Sequence, residues 1–174
     1  QIISSIKDIK GNVILSTNNE NDLVYPRSSI KIFQALPFIN SNAPIKFKLN
    51  EKSIAIACSS HKGEAKHLEV LNTWINKINI CIADLECGIH NPIDLSSSNN
   101  LLLSGESPTQ LHNNCAGKHL GMITGCLANN LSYKNYVDFD HPYQRLIRES
   151  LEIFMGSKIK KNCFGIDGCS APQY

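Results

Sequence analysis

The stretch His112-Asn113-Asn114-Cys115-Ala116-Gly117-Lys118-His119-Leu120-Gly121-Met122-Ile123-Thr124-Gly125-Cys126-Leu127 decides how this chain is read. Its first half packs a thiol, an amine and two imidazoles into eight residues, which almost nothing structural requires. Beyond them Leu120, Met122, Ile123 and Leu127 follow an apolar pattern suited to a buried helix, predicted from Cys115 to about Asn129. Cys115 and Lys118 are three apart, so they share one face at the start of that helix. A second Cys-centred run, Gly165-Ile166-Asp167-Gly168-Cys169-Ser170-Ala171-Pro172, lies near the chain end.

Bulk properties narrow the function classes. A chain of 174 residues is long enough for one domain with a sizeable core. Its 42% hydrophobic and 18% charged content is that of an ordinary soluble globular chain. The net charge is +2 and the lysines are scattered, which leaves no basic stripe for nucleic acid. No apolar stretch approaches the roughly 18 residues needed to span a membrane, and no signal-peptide pattern opens the chain. The expectation is a soluble cytoplasmic protein. Seven cysteines form an odd set without framework spacing, and such thiols are more often buried, metal-binding or catalytic than disulfide-bonded. Cys58, Cys81 and Cys126 sit among apolar residues and read as core, as do Cys87 and Cys163.

Outward from the central stretch, helix dominates. Ile2 to Ile9 and Val13 to Leu15, joined at Lys10-Gly11-Asn12, read as a β-hairpin. Asn18 to Asp22 is a polar loop. Ser28 or Ser29 can cap a helix carrying Ile32, Phe33 and Leu36, which Pro37 kinks or ends. Asn50 caps a short helix with Ile54 and Ala57. Glu64 to Ile78 is amphipathic, with Leu68, Leu71, Trp74, Ile75 and Ile78 inward. Asp84 to Gly88 is a short turn or helix ending at the glycine. Residues 91–110 are rich in Ser, Asn, Pro and Gly and read as an irregular loop. Pro142 opens a last helix with Leu146, Ile147, Leu151 and Phe154, closing at Gly156.

Three constellations carry chemistry. In Ser28-x-x-Lys31 a neutral lysine one helical turn from a serine can take its proton and make it a nucleophile. Burial and neighbouring cations such as Arg27 favour the neutral amine. Ser59-Ser60-His61-Lys62-Gly63-Glu64 is either a proton relay or a helix start. Leu85 to Pro92 adds His90 on a turn, where a lone histidine is usually solvated. Cys115, Lys118 and Cys169 together suggest a metal site: two thiolates suit zinc, and three protein ligands plus water is the open arrangement of catalytic centres, although composition alone would never propose the lysine. From first principles His112 or His119 is the default third ligand, since an amine must lose a proton to bind.

In this order, Pro26 to Lys31 with Gln34-Ala35-Leu36-Pro37, Ser60-His61-x-Gly63-Glu64, Cys87-Gly88-Ile89-His90, Pro108-Thr109 with His112 to His119, Tyr143-Gln144-Arg145, and Gly165 to Pro172 resemble the bacterial, rhizobial-type zinc-containing L-asparaginases. These are distinct from the threonine-dependent asparaginases. The resemblance implies an α/β (α+β) fold similar to serine β-lactamases and glutaminases, and hydrolysis of the side-chain amide of L-asparagine to L-aspartate and ammonia. It implies Ser28 as nucleophile, Lys31 as its base, and Ser60 in a second Ser-Lys pair whose lysine lies far downstream in the family. It places Arg27, His119 and Asp167 on the substrate, and Cys115, Lys118 and Cys169 on Zn2+, which favours direct coordination by the lysine. It also implies a homodimer.

Family members run to roughly twice this length. The chain opens in a strand-like stretch at Gln1 and stops at Tyr174 just after the second cysteine motif. The expectation is therefore the N-terminal part of a single asparaginase domain, truncated at both ends, with its sheet incomplete. The competing readings are a catalytically inactive, truncated zinc-binding product and a related glutaminase or penicillin-recognising serine hydrolase.

Overall fold

The computed structural model describes residues 4–17 and 23–174. Ile2, Ile3 and the polar loop expected over 18–22 lie outside the described residues. The expected hairpin forms from β1 (Ser5–Lys7) and β2 (Val13–Ser16), antiparallel, with Ser5 opposite Ser16 and Lys7 opposite Val13. Asp8 closes its turn, with Oδ1 accepting from the backbone N–H of Lys10 at 2.8 Å and of Asn12 at 2.9 Å.

The next segment departs from the expected side-chain cap. Ser28 and Ser29 lie inside a 3-10 turn, Arg27–Ile30, that runs into α1 (Lys31–Gln34). Ser29 Oγ donates back to the Pro26 carbonyl, and neither serine caps. The inward face differs too. Ile32 is exposed, while Lys31, Gln34 and Ala35 are buried. Polar groups can take that face because they find partners there, as Gln34 Nε2 does on the Pro172 carbonyl at 2.9 Å. Pro37 breaks the chain into a second short helix, α2 (Leu36–Asn40), in whose first turn its missing N–H costs nothing.

After α3 (Ala43–Lys46), Asn50 caps α4 (Glu51–Ala57), accepting from Ser53 N–H at 3.1 Å. Helix α5 (Ala65–Ile78) buries Leu71, Trp74, Ile75 and Ile78, and stops at Asn79, which is left-handed. Part of residues 91–110 is helical, contrary to the expected loop. Asp94 caps α6 (Leu95–Leu103) through Ser97 N–H at 2.8 Å, and the helix buries none of its side chains. A local cap therefore makes this helix in a stretch with no apolar periodicity to announce it.

Helix α7 (Ala116–Ala128) is the centre of the molecule. Every residue from 116 to 126 is buried, and the helix packs on α2, α3, α4 and α5. It also meets α8 (Pro142–Met155), which ends at left-handed Gly156. Ile147 and Leu151 of α8 are buried, whereas Phe154 is exposed with its ring edge on Phe33. A second antiparallel pair, β3 (Gly165–Ile166) and β4 (Pro172–Gln173), frames the second cysteine run. The protein is thus helix-rich α/β (α+β) with small antiparallel sheets. Among the thiols read as core, Cys126 and Cys87 are buried, Cys58 and Cys163 are half-buried, and Cys81 is exposed at the mouth of a 3-10 turn. No helix among the described residues is long and apolar enough to cross a membrane.

Glycines let α7 sit this close to its neighbours. A Cβ on Gly117 would run into the backbone carbonyl of Ile56 on α4, and one on Gly125 into the ring and hydroxyl of Tyr143 on α8. Alanine is the better helix former by about 1 kcal/mol. Gly117→Ala is nevertheless expected to destabilise by at least about 2 kcal/mol, since backbone cannot move aside as a side chain can. Urea unfolding checks it, and a midpoint equal to or above wild type would refute the close approach.

Candidate active site

Three side chains from two segments meet at the N-terminal end of α1. Ser28 Oγ and Ser60 Oγ are 2.9 Å apart, and Lys31 Nζ lies 2.6 Å from Ser60 Oγ and 3.0 Å from the Ser59 carbonyl. Ser28 and Lys31 come from the 3-10 turn and the first position of α1, so one helical turn sets their spacing. Ser60 comes from the link between α4 and α5. The resemblance pairs it with a distant lysine, yet here it is joined to Lys31. Burial holds the Lys31 amine below the usual lysine range; the Cys115 thiol beside it works the other way, and Lys118 adds to the lowering.

The Ser60 link is fixed from both sides. His61 N–H donates to the Asn114 carbonyl at 3.1 Å, and Gly63 N–H donates to His61 Nδ1 at 3.1 Å. Gly63 has φ of +78°, and a Cβ there would meet Pro92 at 2.9 Å. Only a glycine makes that turn cheaply.

The two cysteine motifs converge beside this row. Asn113 is buried; its Oδ1 accepts from Cys115 N–H at 2.9 Å while its Nδ2 donates to the Cys87 carbonyl at 2.7 Å. That clamp sets Cys115 at the head of α7. In the β3–β4 loop, Asp167 Oδ1 accepts from Cys169 N–H at 2.8 Å and Ala171 N–H at 3.0 Å. Its Oδ2 accepts from Lys118 Nζ at 3.2 Å and from Gln173 Nε2 at 3.0 Å. Burial pushes the Asp167 carboxyl up, but Lys118 and the backbone N–H groups outweigh it and keep it below the usual range. Cys169 beside it biases Cys115 towards thiolate against its burial, and Lys118 and Lys31 add to the effect.

The two thiols match a thiophilic cation in softness. Among the described residues no three or more His, Cys, Asp or Glu side chains are grouped to hold a metal ion, so a site here depends on the lysine. Lys118 is ion-paired with Asp167. Coordination through its nitrogen would require the neutral amine turned from the carboxylate to the thiols.

Arg27, Ser28, Lys31, Cys115, Asp167 and Cys169 line one open cavity of about 240 Å³ together with Asn114, Gly168 and His90. Ser60, which is exposed, and Lys118, which is buried, are not among its lining residues. His119 does not reach it. It is fully buried, with Nδ1 2.6 Å from Tyr136 Oη, and Tyr136 Oη accepts from Glu86 N–H at 2.9 Å. The Tyr136 hydroxyl thus links the His119 ring to the Glu86 backbone, and His119 Nε2 is buried without a hydrogen-bond partner among the described residues. His112, the other default ligand, accepts from Thr109 N–H at 2.9 Å and is likewise off the cavity. Sequence reading missed His90 and Asn114, which do line it. The left-handed Gly88 before His90 was the available signal, because it marks a turn aimed at one place.

Burial beside other histidines and Lys31 lowers His61 from 6.5 to about 4. The unfolded chain binds the proton more readily, so this contribution is complete above pH 6.5 and is lost as pH falls towards 4. Urea midpoints are expected to drop across that window by up to about 3 kcal/mol of stability. His61→Asn, whose amide oxygen can still accept from Gly63, should flatten part of the drop; an unchanged slope would remove His61 from the account.

No curated protein matches the chain. The sequence profile described as L-asparaginase II matches residues 2–174, and the chain belongs to that family.

Proposed function

We propose that this chain hydrolyses the side-chain amide of L-asparagine to L-aspartate and ammonia. The observation that carries the reading is the hydrogen-bonded row Ser28–Ser60–Lys31, with its amine buried and depressed, opening on a cavity that belongs to a member of the asparaginase II family. Lys31 in its neutral form takes the proton of Ser60 as Ser60 takes that of Ser28. Ser28 Oγ then attacks the amide carbon, and the proton returns along the same row to the departing nitrogen, releasing ammonia. Water, activated by the same amine, hydrolyses the acyl ester and restores Ser28.

The walls suit a zwitterion. The Arg27 guanidinium meets the α-carboxylate and the Asp167 carboxylate meets the α-ammonium, which leaves the side-chain amide at Ser28. Cys115, Lys118 and Cys169 would hold Zn2+ beside this cavity. Bound there, the ion supplies Lewis-acid polarisation or an anchor for substrate. Asp167 then exchanges its bond to Lys118 for the substrate ammonium.

Ammonia release from L-asparagine tests the reading. Ser28→Ala is expected to lower kcat by about 10³-fold or more, and Ser60→Ala and Lys31→Met by about 10²-fold or more. Full activity of Ser28→Ala would sink the proposal. Metal analysis of the purified protein tests the second part independently: zinc retained after dialysis should vanish in Cys115→Ser and in Cys169→Ser. Equal zinc in both variants would remove these residues as ligands.

A further inference from the structure

We propose that His90 is a positioning residue for the reaction, acting on Ser60 through the peptide of Asn114; this rests on the amidohydrolase reading above. The argument begins with one backbone unit. Asn114 N–H donates to His90 Nε2 at 3.1 Å, across 24 residues of chain. Since that nitrogen accepts, the ring proton sits on Nδ1, where it is given to the Asn91 carbonyl at 2.7 Å. His90 is thereby held in one tautomer, with both nitrogens occupied by main chain.

The other side of Asn114 carries the consequence. Its carbonyl accepts from His61 N–H at 3.1 Å, and His61 directly follows Ser60. Its Oδ1 accepts from the Cys169 thiol at 3.6 Å. One residue thus ties the His90 turn, the Ser60 link, the Cys169 loop and, through the chain itself, Cys115 at the head of α7. Ser60 has no helix or strand of its own to set its place. Its 2.9 Å and 2.6 Å contacts with Ser28 and Lys31 are held by the His61–Asn114 bond, and that bond is held by His90. Ser60 has to pass a proton along this row, so small displacements cost rate more than binding. His90 borders the cavity and is only half-buried, so its replacement leaves the apolar core intact.

Two variants at this position separate the roles. His90→Phe keeps bulk and removes both hydrogen bonds; His90→Gln keeps one acceptor and one donor without an imidazole. The measurements are kcat and KM for L-asparagine, and hydrogen exchange of the Asn114 and His61 amides by NMR. For His90→Phe we expect kcat reduced roughly 10- to 100-fold with KM changed far less, and Asn114 exchange at least about tenfold faster. His90→Gln should recover most of both. Should His90→Phe fail to fold, His90→Ala takes its place with the same reading. Unchanged kcat in the Phe variant of an active enzyme overturns the proposal, as does a defect confined to KM. Should the wild-type chain release no ammonia, the activity reading fails by itself and exchange decides the positioning role. Equal Asn114 protection in wild type and His90→Phe then overturns it, and faster exchange restored by glutamine supports it.

Discussion

The constraint on which the structure depends is the close approach of α7 to α4 and α8. A helix buried on every side must give up side-chain volume where its neighbours come nearest. Here Gly117 does so against the Ile56 carbonyl and Gly125 against Tyr143. The first of these contacts matters most for chemistry. Ile56 is near the end of α4, and the chain leaves α4 through Ser59 and Ser60. Seating α4 on the first turn of α7 therefore brings Ser60 to the residues around Cys115. The hydroxyl row and the thiol pair are neighbours because two helix axes are close. Apolar contacts elsewhere, such as Trp74 on Phe38 with its Nε1–H on Thr124 Oγ1, fill the remaining faces of the same helix.

Charge organises the site once packing has assembled it. Lys31 and Lys118 are both almost fully buried, and each survives there by a different route. Lys118 has a carboxylate, whereas Lys31 has two neutral oxygens and the thiolate-biased Cys115. At Lys31 burial outweighs that sulfur and moves the amine towards its neutral form. Asp167 does several jobs with two oxygens: it shapes the loop that presents Cys169 and it neutralises Lys118. The loop geometry and the charge balance are one structure.

The sequence announced the parts that rest on local rules. Helix α5 has its apolar stripe, α8 its opening proline and closing glycine, α4 its Asn50 cap, and each lies close to where those signals put it. The site runs Arg27-Ser28-x-x-Lys31, Ser60, Cys115-x-x-Lys118 and Asp167-x-Cys169 stood out because reactive groups at such spacings have little structural use. What stayed hidden was set by partners distant in sequence. Lys31 and Gln34 take the inner face of α1 in place of Ile32 because their partners, Ser60 and Pro172, lie elsewhere in the chain. His119, read as a substrate contact, is fully buried against Tyr136, which nothing in its own segment foretells. His90 looked like a solvated turn residue, and its bond to Asn114 is visible only in three dimensions. Helix α6 was missed for the opposite reason: it is wholly local, made by Asp94, and has no core-facing stripe.

Arg27 carries a cost that the rest of the turn does not. Its φ is +54°, a left-handed conformation that a residue with a Cβ adopts at about 1–2 kcal/mol. Glycine would relieve that cost and would also discard the guanidinium that borders the cavity. The position is therefore pulled two ways: towards glycine by any pressure for a more stable chain, and towards arginine by any pressure on the cavity. Variation at residue 27 among proteins of this architecture becomes a gauge of which pressure prevailed, and an arginine retained there records a preference for recognition over thermodynamic ease.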